Sequence, residues 1–160
     1  KERTVQFPTV QGSNLQREKL TLPQDLEGAF NVLLIAFQQW QQRTVDTWVP
    51  FLHQLEGERP GMAYYELPTI QQMNVLARTF INEGMRAGIP DPVARERTIT
   101  LYLDKAAFRR ALDLPHEDDI YVLLVDRQGQ VLWRTEGAFT PPKAESLVAA
   151  IEGVLAHETE

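Results

Sequence analysis

Side chains suited to acid–base chemistry or metal binding are scattered along this sequence of 160 residues. Its histidines are His53, His116 and His157, and the last two each precede acidic residues. A metal site needs several ligands that converge, so we expect the acids at 117–119 to be solvated rather than to hold an ion. The phosphate-binding glycine loop, the dinucleotide fingerprint and the nucleophile elbow do not occur either. We therefore expect neither a metal nor a cofactor.

Cysteine is missing from the chain altogether. Its absence excludes disulfides, thiol nucleophiles, zinc–thiolate sites and iron–sulfur clusters. Hydrophobic residues make up 43% and charged residues 24% of the sequence, which is an ordinary globular composition. The length favours a single domain over residues 1–160.

The charge balance makes nucleic acid an unexpected partner, because 16 basic and 22 acidic residues leave a net charge of −6. The longest apolar run, residues 32–37, is far shorter than the ~20 residues that a membrane span needs. The sequence does not fix the compartment. The chain begins at Lys1 rather than Met, so a leader or anchor before it would place the domain at a membrane.

The elements that position these side chains begin with an extended, turn-rich region over residues 1–28. It contains short edge strands at 7–12 and 20–23. The apolar run at 31–37 predicts a buried strand. A helix follows, with Pro50 kinking it and one apolar face made of Val45, Trp48, Val49, Leu52 and Leu55. We expect Trp48 to lie in the core, since it belongs to that face.

A second helix is predicted over residues 69–87, with Thr69 as its N-cap. Its apolar stripe would be Ile70, Met73, Ala77, Phe80, Ile81 and Met85. Further along, the patterns predict a strand at 98–103, a helix capped by Asp104 and a strand at 120–125. A hairpin turn at 126–129, a returning strand at 130–134 and a last helix after residue 142 complete the chain.

This order predicts an α/β fold with a mixed sheet between two layers of helices. Strands separated by helices are expected to pair in parallel, and the final hairpin adds an antiparallel edge.

At this point the sequence resembles the thioredoxin-like superfamily. Its start, Phe7-Pro8-x-Val10-x-Gly12, looks like the N-terminal hairpin of peroxiredoxin- and TlpA-type members. The segment at 122–131, VLLVDRQGQV, is similar to their hairpin "FLIDxxGxV". The resemblance implies a thioredoxin-like core over residues 31–157, preceded by the extension at 1–28.

The superfamily's redox site is a W-C-x-x-C turn after the first core strand. The corresponding turn of this sequence lacks both reactive cysteines. If Trp40 takes the tryptophan position, Gln41 and Thr44 occupy the two cysteine positions. The place of the superfamily's cis-proline falls near Ile120. A glutamine amide cannot attack a disulfide, and a threonine hydroxyl stays protonated without a strong base. Thiol–disulfide exchange, peroxidase activity and a disulfide substrate are therefore excluded for this chain acting alone.

Among non-redox relatives, the sequence looks most like the assembly-factor family of the mitochondrial ATP synthase membrane sector and its bacterial relatives. The similar segments are residues 80–90 and 121–126, with Gly129, Trp133 and Gly137. This resemblance implies an assembly or chaperone role toward a protein partner, such as a membrane subunit.

We therefore expect a non-redox protein-binding domain whose partner groove lies at Trp40, Gln41, Gln42 and Thr44. A bland alternative is that these glutamines only fill a surface loop. A second hypothesis is an enzyme of non-thiol chemistry in the same cleft, with an acid or base drawn from Asp46, His53 and Glu66. A third is a peroxiredoxin-like homodimer formed through a sheet edge or a helix face.

Overall fold

A seven-stranded mixed sheet organises the molecule. The computed structural model describes the backbone of residues 4–158 and the side chains of residues 4–156. The strands are β1 (Val10–Asn14), β2 (Lys19–Leu22), β3 (Phe30–Ala36), β4 (Met62–Gln71), β5 (Ile99–Leu103), β6 (Tyr121–Asp126) and β7 (Val131–Glu136). Their order across the sheet is β2-β1-β5-β4-β3-β6-β7. The first two strands thus extend one edge of the sheet, in agreement with the predicted N-terminal hairpin.

Helices cover the sheet and are connected to it by short loops. They are α1 (Gln42–Asp46), α2 (Val49–Glu58), α3 (Val75–Gly88), α4 (Pro92–Arg97), α5 (Lys105–Leu112) and α6 (Pro141–Glu158), with a 3-10 turn at Gln39–Gln41. The expected effect of Pro50 appears as a break between α1 and α2, because proline sits in the first turn of α2. Over the described residues, no helix combines the length and apolar character that crossing a bilayer requires.

The central strands are parallel only in part. β4 lies parallel to both β3 and β5, whereas β6 runs antiparallel to β3. The expectation that all helix-separated strands pair in parallel is therefore wrong for β6. Both β3 and β6 are buried almost throughout, because helices cover both faces of the sheet at its centre.

The predicted helix over 69–87 is wrong over its first six residues. Residues 62–71 form the central strand β4, and Thr69 is buried in that strand instead of capping a helix. The helix begins later, where the Asn74 side chain accepts a hydrogen bond from the Ala77 amide at 2.8 Å. Glu66 and Pro68 interrupt the apolar pattern of β4, so the sequence pattern does not predict this strand.

Two hydrophobic layers hold the sheet between its helices. One contains Phe108 and Leu112 of α5 against Leu33 and Leu67 of the sheet. The other packs α1, α2 and α6 on the opposite face, with Trp48 at its centre. Trp48 is fully buried and its indole N–H donates to the Gly137 carbonyl at 2.9 Å, so the prediction of a core tryptophan is confirmed.

The β6–β7 hairpin has the turn that the sequence predicts. Asp126 Oδ1 accepts from the amides of Gln128 and Gln130, at 3.0 and 2.8 Å. Gly129 adopts a φ of 89°, a conformation that favours glycine. Asp126 therefore orders the turn of the hairpin.

Candidate functional site

The loop that follows β3 contains the residues that the sequence resemblance assigns to the redox site. Gln41, the residue expected at the first cysteine position, is fully buried. Its Oε1 accepts hydrogen bonds from the amides of Phe37 and Gln38, at 2.8 and 3.2 Å. Its Nε2 donates to the Glu117 carbonyl at 2.6 Å. All of the amide's polar atoms are thus engaged within the chain, and Gln41 presents no group to a partner.

Glu117 lies in the loop that leads into β6 and connects that loop to the loop after β3. Its carboxylate accepts from Gln38 Nε2 at 3.0 Å and lies 2.9 Å from Lys105 Nζ. Arg109 Nε is 3.4 Å from the other carboxylate oxygen. The expectation that the acids at 117–119 are merely solvated is therefore wrong for Glu117, which acts as an anchor between α5 and the loop after β3.

Ile120, near which the resemblance places the superfamily's cis-proline, is a core residue. Ile120 is fully buried immediately before β6. In the described chain, the cis peptide bond is at Leu22–Pro23, away from this position. Gln41, Glu117 and Ile120 together occupy the space between the two loops with interactions internal to the protein.

On the surface above these internal contacts, the loop after β3 and the start of α1 form a shallow groove. It has a volume of about 480 Å³ and is lined by Gln39, Trp40, Gln42, Arg43 and Thr44, a set we call the Trp40 groove. Trp40 is 62% exposed although it is among the largest apolar side chains of the protein. Of the four predicted site residues, the structure thus brings together Trp40, Gln42 and Thr44 and places Gln41 beneath them.

A pair of carboxylates borders the groove. Gln42 Nε2 donates to Asp46 Oδ1 at 2.9 Å and to Glu66 Oε1 at 3.1 Å. Burial raises the pKa of Glu66, with the Gln42 hydrogen bond opposing that effect and the negative charge of Asp46 adding to it. Two of the three groups that the enzyme hypothesis invokes therefore share one amide donor.

The third of those groups, His53, does not join the pair. It is exposed on α2, and within residues 4–156 no hydrogen bond or ion pair connects it to Asp46 or Glu66. General acid–base catalysis requires groups within hydrogen-bond reach of one another or of a shared water. Asp46 and Glu66 thus form a carboxylate pair that His53, the third group of the enzyme hypothesis, does not join.

His116 and Arg97 are held by acidic partners. His116 Nε2 lies 3.1 Å from Glu136, while the side chain of His157 falls outside the described residues. Arg97 binds both carboxylate oxygens of Glu56 at 3.1 Å and stacks over the Tyr64 ring at 4.1 Å. Among the residues described, no cluster of three or more histidine or acidic side chains is arranged to hold a metal ion.

Sequence reasoning names Glu66 as a candidate acid but misses the strand β4 that holds it beside α1, and it misses the role of Glu117. Glu117 was hidden within the acidic run at 117–119, where one residue faces Lys105 and Arg109 across the fold. Only the juxtaposition of two loops distant in sequence distinguishes it from its neighbours.

Comparison with known proteins agrees with this architecture. BsSco, of the Sco family of cytochrome c oxidase assembly proteins, superposes with a TM-score of 0.65 at 11% identity, over 96% of this chain and 95% of that one. A Chlorobium tepidum protein assigned as the thiol:disulfide interchange protein DsbE gives 0.57 at 18% identity, over 96% and 98%. The exposed lipoprotein thioredoxin Etrx1 of Streptococcus pneumoniae strain TIGR4 gives 0.55 at 13% identity, over 91% and 99%.

At such identities these likenesses establish the fold, which is thioredoxin-like, as the sequence predicted. No curated protein matches the chain. The profile of the ATP10 protein family matches residues 1–154, which is nearly the whole sequence. The expected resemblance to ATP synthase assembly factors is thereby confirmed, and the chain belongs to the ATP10 family.

Proposed function

We propose that this protein is a non-redox assembly factor that binds a protein partner through the Trp40 groove. Membership of the ATP10 family, whose role is ATP synthase assembly, supports the role. A subunit of that enzyme, such as one of its membrane subunits, is the partner that this role implies. The lack of cysteine in a thioredoxin-like fold supports binding in place of thiol chemistry.

The exposure of Trp40 is the observation that carries the groove proposal. Large aromatic side chains supply much of the binding energy at protein interfaces when a partner covers them. In the free protein the indole of Trp40 is left largely in water, beside the amide of Gln42. Because Gln41 is engaged within the chain, the surface available to a partner consists of Trp40, Gln42 and Thr44.

Co-purification of ATP synthase subunits with the tagged protein tests this proposal. Trp40→Ala is expected to reduce recovery of a bound subunit at least about tenfold, as removal of an interface hot spot does. Leu132→Ala is the matched control, since Leu132 is an exposed apolar residue on β7 outside the groove. Thermal melts of both variants should match the parent protein, because exposed substitutions rarely change stability by more than about 0.5 kcal/mol.

Equal recovery with Trp40→Ala and with the parent protein would reject the groove as the binding surface. Recovery of no ATP synthase subunit by the parent protein would instead count against the partner class. The two failures are distinguishable, since only the first leaves a bound subunit to detect.

A further inference from the structure

Helix α3 carries an apolar surface that the protein itself leaves uncovered. Val75, Leu76 and Phe80 are 65%, 82% and 83% exposed, and no residue of α3 is buried. Together these three side chains present roughly 400 Å² of apolar surface, using typical side-chain areas. Single exposed hydrophobic residues are common, whereas neighbouring exposed apolar side chains such as Leu76 and Phe80 are often part of an interaction surface.

Polar contacts hold the opposite side of α3 against the sheet. Tyr102 of β5 donates its hydroxyl to Asn82 Oδ1 at 2.9 Å. Arg86 Nε donates to the Leu15 carbonyl at 3.0 Å. Helices in proteins gain most of their stability from packing an apolar face, and the outward apolar face of α3 lacks that packing in a single copy.

The exposed face of α3 has one bulky half and one small half. Leu76 and Phe80, four residues apart, fill its first two turns. Gly84, Ala87 and Gly88 continue the same face through its last two turns. A Cβ atom built at Gly84 or at Gly88 meets no neighbouring atom within 4 Å, so the space above both glycines is open.

We propose that α3 is a self-association surface that pairs two copies of this chain about a two-fold axis. In an antiparallel pairing, the first half of one helix faces the second half of the other. Phe80 of each copy then lies over Gly84 of the other, and Leu76 lies over Ala87 and Gly88. The bulky side chains thus fill the open space above the small residues, as knobs fill holes in packed helices.

Area and charge on this face specify a reversible dimer. Two patches of roughly 400 Å² would bury about 800 Å² in total, below the ~1,200 Å² at which stable interfaces begin. Glu83, the charged residue of the exposed face, is already paired with Arg17 at 2.8 Å. An anionic lipid surface is a poorer occupant, because the protein's net charge is −6 and both arginines of α3 are turned to the protein: Arg78 lies over the Tyr102 ring and Arg86 donates to the Leu15 carbonyl.

Sedimentation equilibrium between about 5 µM and 1 mM tests the proposal, since a weak dimer forms by mass action. The average mass of the parent protein should rise with concentration toward that of a dimer. Phe80→Ser should raise the dissociation constant at least about tenfold, as loss of a hot spot does. Phe80 is exposed, so its replacement should leave the fold intact.

A second variant separates association from folding. Gly84→Gln places a long side chain where Phe80 of the other copy would lie, and glutamine favours helix more than glycine does. It should raise the thermal midpoint and weaken self-association. Gly153→Gln on α6 is the matched control, because Gly153 is equally open and should change only the midpoint.

A parent protein that stays monomeric up to 1 mM would overturn the proposal, as would dimers insensitive to Phe80→Ser and Gly84→Gln. Monomers that bind phosphatidylglycerol vesicles in a Phe80-dependent way would overturn it in favour of a lipid surface.

Discussion

Replacement of Gln41 by leucine tests whether the Gln41 side chain holds the loop after β3 to the loop before β6. The two side chains have similar volumes, so Gln41→Leu removes hydrogen bonds without leaving a large cavity. It deprives the amides of Phe37 and Gln38 and the carbonyl of Glu117 of their partner. We expect these losses to lower the stability of the folded protein while leaving the Trp40 groove in place.

The magnitude follows from the burial of the three orphaned groups. A buried donor or acceptor left without a partner costs about 1–3 kcal/mol, and groups that reach water cost less. The hydrogen bond to the Phe37 amide is buried and the other two are partly buried, which gives a total of about 3 kcal/mol. At about 2–4 °C per kcal/mol for a chain of this size, the thermal midpoint should fall by about 6–12 °C.

Urea and thermal unfolding measure this loss, with Gln39→Leu as the control. Gln39 is exposed in the same turn, and its replacement should change the unfolding free energy by less than about 0.5 kcal/mol. A decrease in unfolding free energy of less than about 1 kcal/mol for Gln41→Leu would refute this structural role, because water would then be replacing the lost partners. An equal loss in both variants would show that added apolar surface, rather than lost hydrogen bonds, causes the effect.

Three further predictions concern stability. Burial raises the pKa of Glu66 in the folded state, so folding loses stability as pH rises from the unfolded pKa through the folded one. Glu66→Gln should therefore exceed the parent protein in unfolding free energy at pH 7 and match it near pH 3, as denaturant titrations at both values would reveal. The buried hydroxyl of Thr100 has no hydrogen-bond partner among residues 4–156, so Thr100→Val should stabilise by about 1 kcal/mol, with Thr100→Ser showing no gain in the same urea titration. Gly129→Ala should lower the thermal midpoint, because φ is 89° and the new Cβ would meet Pro23 at 2.8 Å; an unchanged midpoint would contradict this.

Local patterns predicted those parts of the fold whose signals are local. The turn at Gly129, the Asp104 cap of α5 and the buried Trp48 each follow from a few neighbouring residues. The strand β4 escaped because Glu66 faces α1 and Pro68 lies near the strand's end, and each interrupts an apolar run. The sequence pattern also did not predict the direction of β6, since whether β6 runs parallel to β3 depends on how the chain crosses over between them.

For the candidate site, sequence position located the loop but did not reveal which side chains face outward. Gln41 and Gln42 are adjacent and chemically identical, yet the 3-10 turn buries one amide beneath the loop and leaves the other beside Trp40. Which glutamine turns inward is decided by the Glu117 carbonyl, 76 residues further along the chain. Such a partner is visible only once both loops are positioned.

The way α3 is attached has a consequence for the motions of the protein. An element with no buried residue loses little when it opens, so α3 should unfold locally without disturbing the two hydrophobic layers. Its hydrogen-bonded amides should exchange with deuterium faster than those of β3 and β6. A molecule that covers Leu76 and Phe80 would slow this exchange by stabilising the closed helix. Protection of α3 therefore reports occupancy of its surface, whatever occupies it.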